Sequence, residues 1–365
     1  MENGLTAQHS KSLHGIAIMM MLFHHLFYPG RLTFEYFSLT DYFLGEGTEE
    51  NIAILFKICV AVFTLTSGYA MNRKSAQSEE STGSCLSVRT FVSFMRKYVI
   101  VYAVFIPLAC IFADYGNRFS RSTFFYSLLG WDASFNDAWW YVGFYIHMLI
   151  AFPLMDAVQK ILKKNTAGWR ISHLLSAAAA SFVFFYIMMR LNTEKSYTAI
   201  FVEGYLCSEF HIFEHLSSWQ KRAGKEIRGA AWRTVKVLFL LAVLAAVLIC
   251  RVSLEKYRGY GFADSVTIIS FVFLLLKLME PFPIVNRFFE WLGRYSTYIW
   301  LTHIFFAYHI FQKYIMIIKI DVVMYVLLFA VSLLTAMVLT ELEKWILRLF
   351  EVAQGNILNR NIKKY

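Results

Sequence analysis

The sequence predicts an all-α, polytopic membrane protein of about ten transmembrane helices, with both termini on the cytoplasmic side. Three observations carry that expectation. Of the 365 residues, 58% are hydrophobic and only 16% are charged, against roughly 25% charged in a soluble domain. Apolar segments of the length that crosses a bilayer as a helix recur along the whole chain. Of the 35 Lys and Arg, all but Lys57 and Lys277 fall between those segments or at their ends, roughly two to one in favour of the N-terminal side, as the loop charges of an oriented membrane protein do. The formal net charge of +10 therefore gives no reason to expect nucleic acid, because the basic residues form no single solvated patch. Lipid is the expected environment, and aromatic residues, 18% of the chain, suit its interfacial belts.

The expected spans are roughly 12–28, 52–71, 97–113, 137–156, 171–190, 198–213, 234–251, 263–280, 293–312 and 322–346. The first is read as an uncleaved span, since Lys11 precedes the apolar run but no small-x-small cleavage site follows it. The fourth follows a shorter apolar piece at 123–130, and the sixth carries Glu203 and Glu209. The first outer loop is acidic, with Glu35, Asp41, Glu46, Glu49 and Glu50 against Arg31. The loop Asn72–Thr90 is polar, and Ser217–Arg228 is basic and helix-permissive. No internal repeat and no inverted pair of broken helices of the transporter kind is apparent. Residues 1–365 are expected to form one membrane domain with no appended soluble domain. Cys59, Cys85, Cys110, Cys207 and Cys250 show no CxxC or zinc-like spacing and read as small buried hydrophobes.

Within so apolar a chain, ionisable residues at membrane depth mark candidate functional positions. The helix Ser12–Tyr28 carries three: His14, His24 and His25. At about 100° per residue, the eleven-residue step from His14 to His25 returns to within roughly 20° of the same face, about 16 Å further along the axis, whereas His24 points about 100° away. Histidine serves as a general base near neutral pH, which an acyl-accepting hydroxyl needs. Hydrogen bonding to a neighbouring helix is the plainer role for the same residues. Thr64–Tyr69 (TLTSGY) suits close helix approach. Asn136–Tyr141 (NDAWWY), with Tyr145, His147 and Pro153 beyond it, reads as an interfacial anchor or as a stacking face. Tyr295–His303 (YSTYIWLTH) places another imidazole in the membrane. Arg89, Arg96 and Lys97 open the third span as orientation charges that can also hold coenzyme phosphates. Lys57 and Lys277 lie deeper and can snorkel. Glu209-x-His211 with Glu214-His215 reads as an interfacial cluster, and no metal is expected because no HExxH-type spacing occurs.

In this order the motifs resemble the family-3 membrane acyltransferases, multi-pass bacterial enzymes that acylate, mostly acetylate, sugars of surface polysaccharides and related acceptors. The resemblance runs from about residue 10 to 346. The family's Arg-x10-His is similar to His14-x10-His25, and its Phe-x-x-Ser-Gly-Tyr/Phe to the segment ending in Ser67-Gly68-Tyr69. Its Arg-rich cytoplasmic loop resembles Arg89, Arg96 and Lys97 with Pro107 further in. Its Leu-Trp-Phe/Tyr entry resembles Ala138-Trp139-Trp140-Tyr141, and its Gly-x-x-Ser-x-Tyr-x-x-x-x-His resembles Gly293 to His303. Two positions depart from the pattern: His14 replaces the family Arg, and Asp137 stands where many relatives carry a His.

The resemblance implies acyl transfer from acyl-CoA, with acetyl-CoA the expected donor, to a hydroxyl of a cell-envelope sugar or lipid-linked glycan at the bacterial cytoplasmic membrane. His25 is then the base, His14 and the cations Arg89, Arg96 and Lys97 face the donor, and Ser67 or Tyr69 steadies the oxyanion. His24, Trp139, Trp140, Tyr141, Tyr298 and His303 are expected at the acceptor. A transporter or flippase for a lipid-linked sugar, with the histidines as proton relays, is the alternative from another class, and an inactive family member acting as a membrane partner is a third. The acceptor, the acyl group, the membrane face of transfer and the oligomeric state are not legible in the residues.

Overall fold

The computed structural model describes residues 4–28, 47–77, 83–113, 115, 119–165, 170–191, 195–223, 230–310 and 312–362. Among these the chain is helices joined by short turns, with no strand. Glu35, Asp41 and Glu46 of the acidic loop, and parts of the segments 72–90 and 217–228, lie outside the described residues.

Helix α1 (Ala7–Phe27) opens on a capping box: Thr6 Oγ1 accepts from the His9 N–H (3.2 Å), and His9 Nδ1 accepts from the Thr6 N–H (3.3 Å). Two of the donors that a helix start leaves unpaired are thereby satisfied. The second expected span is two helices, α2 (Thr48–Phe56) and α3 (Cys59–Gln77). Then follow α4 (Gly83–Phe112), α5 (Arg121–Leu128), a 3₁₀ turn (Asp137–Trp139) and α6 (Trp140–Asn165). Next come α7 (Arg170–Arg190), α8 (Lys195–Glu209), α9 (Ile212–Ala223), α10 (Ala230–Arg258) and α11 (Tyr260–Met279). The chain ends with α12 (Pro283–Gly293), α13 (Ser296–Ile304), a π-helical turn (Phe305–His309), α14 (Gln312–Met316) and α15 (Asp321–Ile362).

Seven helices are long and apolar enough to cross a bilayer among the described residues: α2–α3 taken together, α4, α6 with its preceding turn, α7, α10, α11 and α15. The other three expected spans coincide with α1, with the 15-residue α8, and with the interrupted run α13–π–α14. The sequence suggested no broken helices, yet two spans are interrupted, at Lys57–Ile58 and at Phe305–His309. Apolar side chains such as Leu238, Phe239 and Ile249 on α10, and Val326 and Leu334 on α15, point outward, as lipid-facing helices require. Cys110 and Cys250 are exposed on such surfaces, in contrast to the expected burial, whereas Cys59 and Cys207 are buried.

Two glycine contacts set the helix crossings around α1 and α3. Gly68 of α3 and Gly204 of α8 face each other: a Cβ on Gly68 would collide with the Phe201 carbonyl, and one on Gly204 with the Leu65 carbonyl. Gly15 of α1 meets the Phe289 carbonyl of α12 in the same way, and Gly293 meets that of Lys11. Helices in lipid gain their association from such close approach of backbones.

Charged side chains gather at the two ends of the bundle. At one end Leu5 N donates to Tyr69 Oη (3.0 Å), joining the start of α1 to the end of α3. Glu209, read from sequence as interfacial, is here a buried hub that accepts from Asn72, Gln159 and Lys163 and pairs with His173 Nε2 (2.5 Å). Lys277 is buried and bonds Glu280 (2.6 Å). At the other end Arg251 and Asp264 both have wholly buried side chains, joined at 2.6 Å. Lys57 lies over the Tyr260 ring, 3.0 Å from its centroid, and Tyr28 and Tyr260 share a 2.7 Å hydroxyl contact.

Gly204→Val should therefore lower the stability of the detergent-solubilised protein by about 1–3 kcal/mol, the range for overpacking. Thermal unfolding followed by loss of the monodisperse chromatographic peak measures this, and Gly259→Ala, at an open position with positive φ, should act less.

Candidate functional site

The helical step from His14 to His25 has the consequence its arithmetic implies: both imidazoles line one cavity of about 140 Å³. Met21, on the same face, lies between them. Helix α3 adds Val60, Phe63 and Ser67, which at spacings of three and four share one stripe. The far wall is aromatic, from Phe94 of α4 and Trp140, Tyr141 and Tyr145 of α6. Ser296, Thr297 and Trp300 of α13 close the remaining side. The cavity thus runs beside α1 over the roughly 16 Å that separates its two histidines along the axis, with hydroxyls toward His14 and indoles toward His25.

Each polar side chain here is held by a definite partner. His14 Nε2 lies 2.8 Å from Thr66 Oγ1. That hydroxyl donates to the Val62 carbonyl (2.8 Å), so it accepts from His14 Nε2–H. The His14 ring also packs on Phe63, at 4.8 Å between centroids. Ser67 Oγ donates to the Phe63 carbonyl (2.8 Å). Tyr141 Oη donates to Thr64 Oγ1 (2.8 Å), whose own proton goes to Val60 O (2.9 Å). The Tyr141 ring meets Trp300 edge-on at 5.5 Å.

His24 faces away from the cavity, as the 100° offset requires. Its Nδ1 lies 2.6 Å from Ala53 O. At the α2–α3 interruption the Lys57 N–H bonds Ile54 and Leu55 instead of Ala53, so the Ala53 carbonyl is left for the imidazole, which must donate to it.

His25 contacts His24, His303 and Tyr308, with ring centroids at 5.1, 4.9 and 6.5 Å. His303 is fully buried. Its Nδ1 lies 2.7 Å from Trp300 O and 3.2 Å from Ile299 O. Nearby, the Phe305 N–H turns to Thr302 O, and the Leu301 carbonyl accepts from Trp139 Nε1 (3.0 Å) and Asn136 Nδ2 (3.3 Å). The motif read as an anchor or stacking face therefore divides. Asn136 and Trp139 are buried and clamp the end of α13, whereas Trp140 is 39% exposed and lines the cavity.

Of the expected site residues, His14, His25, Ser67, Trp140 and Tyr141 come together at the cavity. Tyr69 lies at the end of α3, where its hydroxyl accepts from Leu5 N and Arg73 Nη1 (3.0 Å each). Trp139 packs between Tyr98, Tyr102 and Phe305. Arg96 Nε bonds Glu343 Oε1 (2.7 Å), and Tyr298 Oη donates to Glu343 Oε2 (3.0 Å). Lys97 stands 5.7 Å from the Tyr298 ring centroid, and Arg89 is exposed on α4. Sequence reasoning did not single out Val60, Phe63, Thr297 or Trp300 as cavity walls. Helical spacing from Ser67 and Ser296 carried that signal. Among the described residues no three His, Cys, Asp or Glu side chains converge on a metal position.

Among the described residues, seven helices long and apolar enough to cross a bilayer, with two imidazoles and aromatic walls lining one cavity between helices, define a multi-pass membrane protein. The family profile described as an acyltransferase domain, Acyl_transf_3, matches residues 12–341, and the chain belongs to that family. No curated protein and no solved structure matches the chain.

Trp139→Phe puts a smaller ring in place of the indole and removes one of the two donors to Leu301 O, leaving Asn136 Nδ2. The lost hydrogen bond and the lost ring volume together should cost about 1–3 kcal/mol, read as a lower unfolding midpoint.

Proposed function

We propose that this member of the acyltransferase family is an integral-membrane O-acyltransferase of the bacterial cytoplasmic membrane. It moves an acyl group, acetyl in the first instance, from acyl-CoA to a hydroxyl of a cell-envelope sugar or lipid-linked glycan. The observation that carries this reading is the convergence of His14 and His25 on one chamber with aromatic walls. In the proposed reaction the acceptor hydroxyl gives its proton to His25 as its oxygen bonds the thioester carbonyl carbon. The carbon–sulfur bond then breaks, and the coenzyme leaves as thiolate, a competent leaving group that takes the proton back from His25 or from water.

The geometry refines the roles drawn from the resemblance. His14, held by Thr66, stands where the family carries Arg and offers the donor a hydrogen-bonding imidazole. Ser67 reaches an oxyanion only by releasing Phe63 O, and the engaged hydroxyl of Tyr69 at the end of α3 favours Ser67 over it for that role. The guanidinium of Arg96 already has a carboxylate partner, which leaves Arg89, Lys97 and the outer nitrogens of Arg96 for coenzyme phosphates. Trp140, Tyr141 and Trp300 supply the stacking faces for a sugar.

One observation favours a transporter instead: helices interrupted at membrane depth beside His24 and His303 are the form that transporters use around their substrates. Acyl-CoA turnover in lipid nanodiscs separates the readings. Free CoA should appear from acetyl-CoA only when a cell-envelope glycan extract is present, and His25→Ala should lower kcat by about 10²–10⁴-fold, the contribution of a general base. Neither release nor acetyl-CoA binding by the wild type would contradict the acyltransferase reading and favour the transporter.

A further inference from the structure

His303 is wholly buried and sits against the ring of His25, yet one of its two nitrogens has no hydrogen-bond partner among the described residues. Carbonyl oxygens only accept, so the 2.7 Å contact to Trp300 O fixes the proton of neutral His303 on Nδ1. The unpartnered atom, Nε2, is then a bare acceptor. An acceptor left unpaired in a buried site costs about 1–3 kcal/mol, and at membrane depth no bulk water relieves it. The neighbouring group able to donate to it within ring contact is an N–H of His25, whose centroid lies 4.9 Å away. Two imidazoles joined by an N–H···N bond of about 2.9 Å have centroids roughly 5 Å apart, so the spacing already fits and only the ring orientation differs.

We propose that His303 is a positioning residue for the base: its Nε2 accepts a hydrogen bond from one nitrogen of His25, and this fixes the tautomer in which the other nitrogen takes the acceptor's proton. The inference rests on His25 being the base. It deepens that reading by giving His25 the orienting partner that an imidazole base requires, in the role a carboxylate plays in a Ser-His-Asp triad. In the step itself the hydroxyl proton passes to His25 as the oxygen–carbon bond forms and the carbon–sulfur bond breaks. The proton shared with His303 stays on His25, and the imidazolium so formed is stabilised by the His303 lone pair. Hydrogen bonds of this kind are often loose without substrate and tighten in the complex. The surrounding structure restrains His303 itself. Its Nδ1 is anchored to its own helix, and the next carbonyl along, Leu301 O, is clamped by Trp139 and Asn136. His24, whose Nδ1 is committed to Ala53 O, cannot compete through that nitrogen. His303 therefore acts through His25 and need not touch the sugar.

Two readouts test this, one of them independent of turnover. In ¹⁵N-histidine-labelled protein in nanodiscs, the His303 Nε2 resonance, assigned by its loss in His303→Gln, should shift when His25→Ala removes the donor. An unchanged resonance, with and without acetyl-CoA, would overturn the proposal. In kinetics, His303→Leu should lower kcat about 10–100-fold with both KM values within about twofold, the pattern of an interaction made in the transition state. His303→Gln, whose amide oxygen can accept near the Nε2 position, should recover at least half of that loss on a logarithmic scale. Equal kcat for wild type and His303→Leu, or equal losses for Leu and Gln, would overturn it. If His303→Leu does not fold, the resonance shift and the Gln variant decide. If the wild type transfers no acyl group, the proposed function fails, while the resonance still reports whether the two imidazoles are joined.

Discussion

The rest of the site depends on one constraint: backbone polar groups within the membrane must find partners inside the protein. Wherever a helix is interrupted there, a carbonyl is released, and a side chain has to reach it. The break between α2 and α3 releases Ala53 O, which draws in His24, and Ile54 O there accepts from Arg251 (3.4 Å). The turn after α13 leaves Leu301 O to Trp139 and Asn136. Polar residues that look misplaced in so apolar a chain are therefore first of all repairs to interrupted backbone. The interruptions lie beside the pole of the cavity that carries His25, so the same repairs hold its walls.

The result is a division of labour among neighbouring residues. Along α1, His25 and His14 face the chamber while His24 secures α2. In the α6 entry, Trp139 secures α13 while Trp140 faces the chamber. In α13, Thr297 and Trp300 line it, while Tyr298 joins Glu343 and through it Arg96. Adjacent residues on a helix point about 100° apart, so a short motif serves packing on one face and lines the cavity with the next. Rigidity around the imidazoles follows, and a base works only when its ring is held in the right orientation.

What could be read from the sequence follows the same geometry. The shared face of His14 and His25, and the separation of His24 from it, needed only the period of one helix, and the structure places all three accordingly. Gly68 within a run of small hydroxyl residues announced a close crossing, which α8 supplies. The partners across the fold were beyond that reasoning. Arg96 meets Glu343 from 247 positions away, and Trp139 meets Leu301 from 162, so neither pairing leaves a local trace. The break after α13 has no Pro or Gly within Ser296–Ile310 to announce it. Arg251 stands at the end of the expected span 234–251, and nothing local announces that α10 continues to Arg258 or that Asp264 on α11 meets Arg251 inside the bundle.

The central claim is that acyl transfer takes place in the chamber between His14 and His25. The most direct measurement is a cryo-electron microscopy structure in nanodiscs with a non-transferable acyl-CoA analogue whose thioester sulfur is replaced by methylene. The account predicts density for the acyl carbonyl within the space bounded by His14, Ser67, Tyr141 and His25, with the coenzyme phosphates toward Arg89 and Lys97. Density for the acyl group in the cavity of about 550 Å³ between Asn72, Arg73, Lys163 and Glu214 would contradict it.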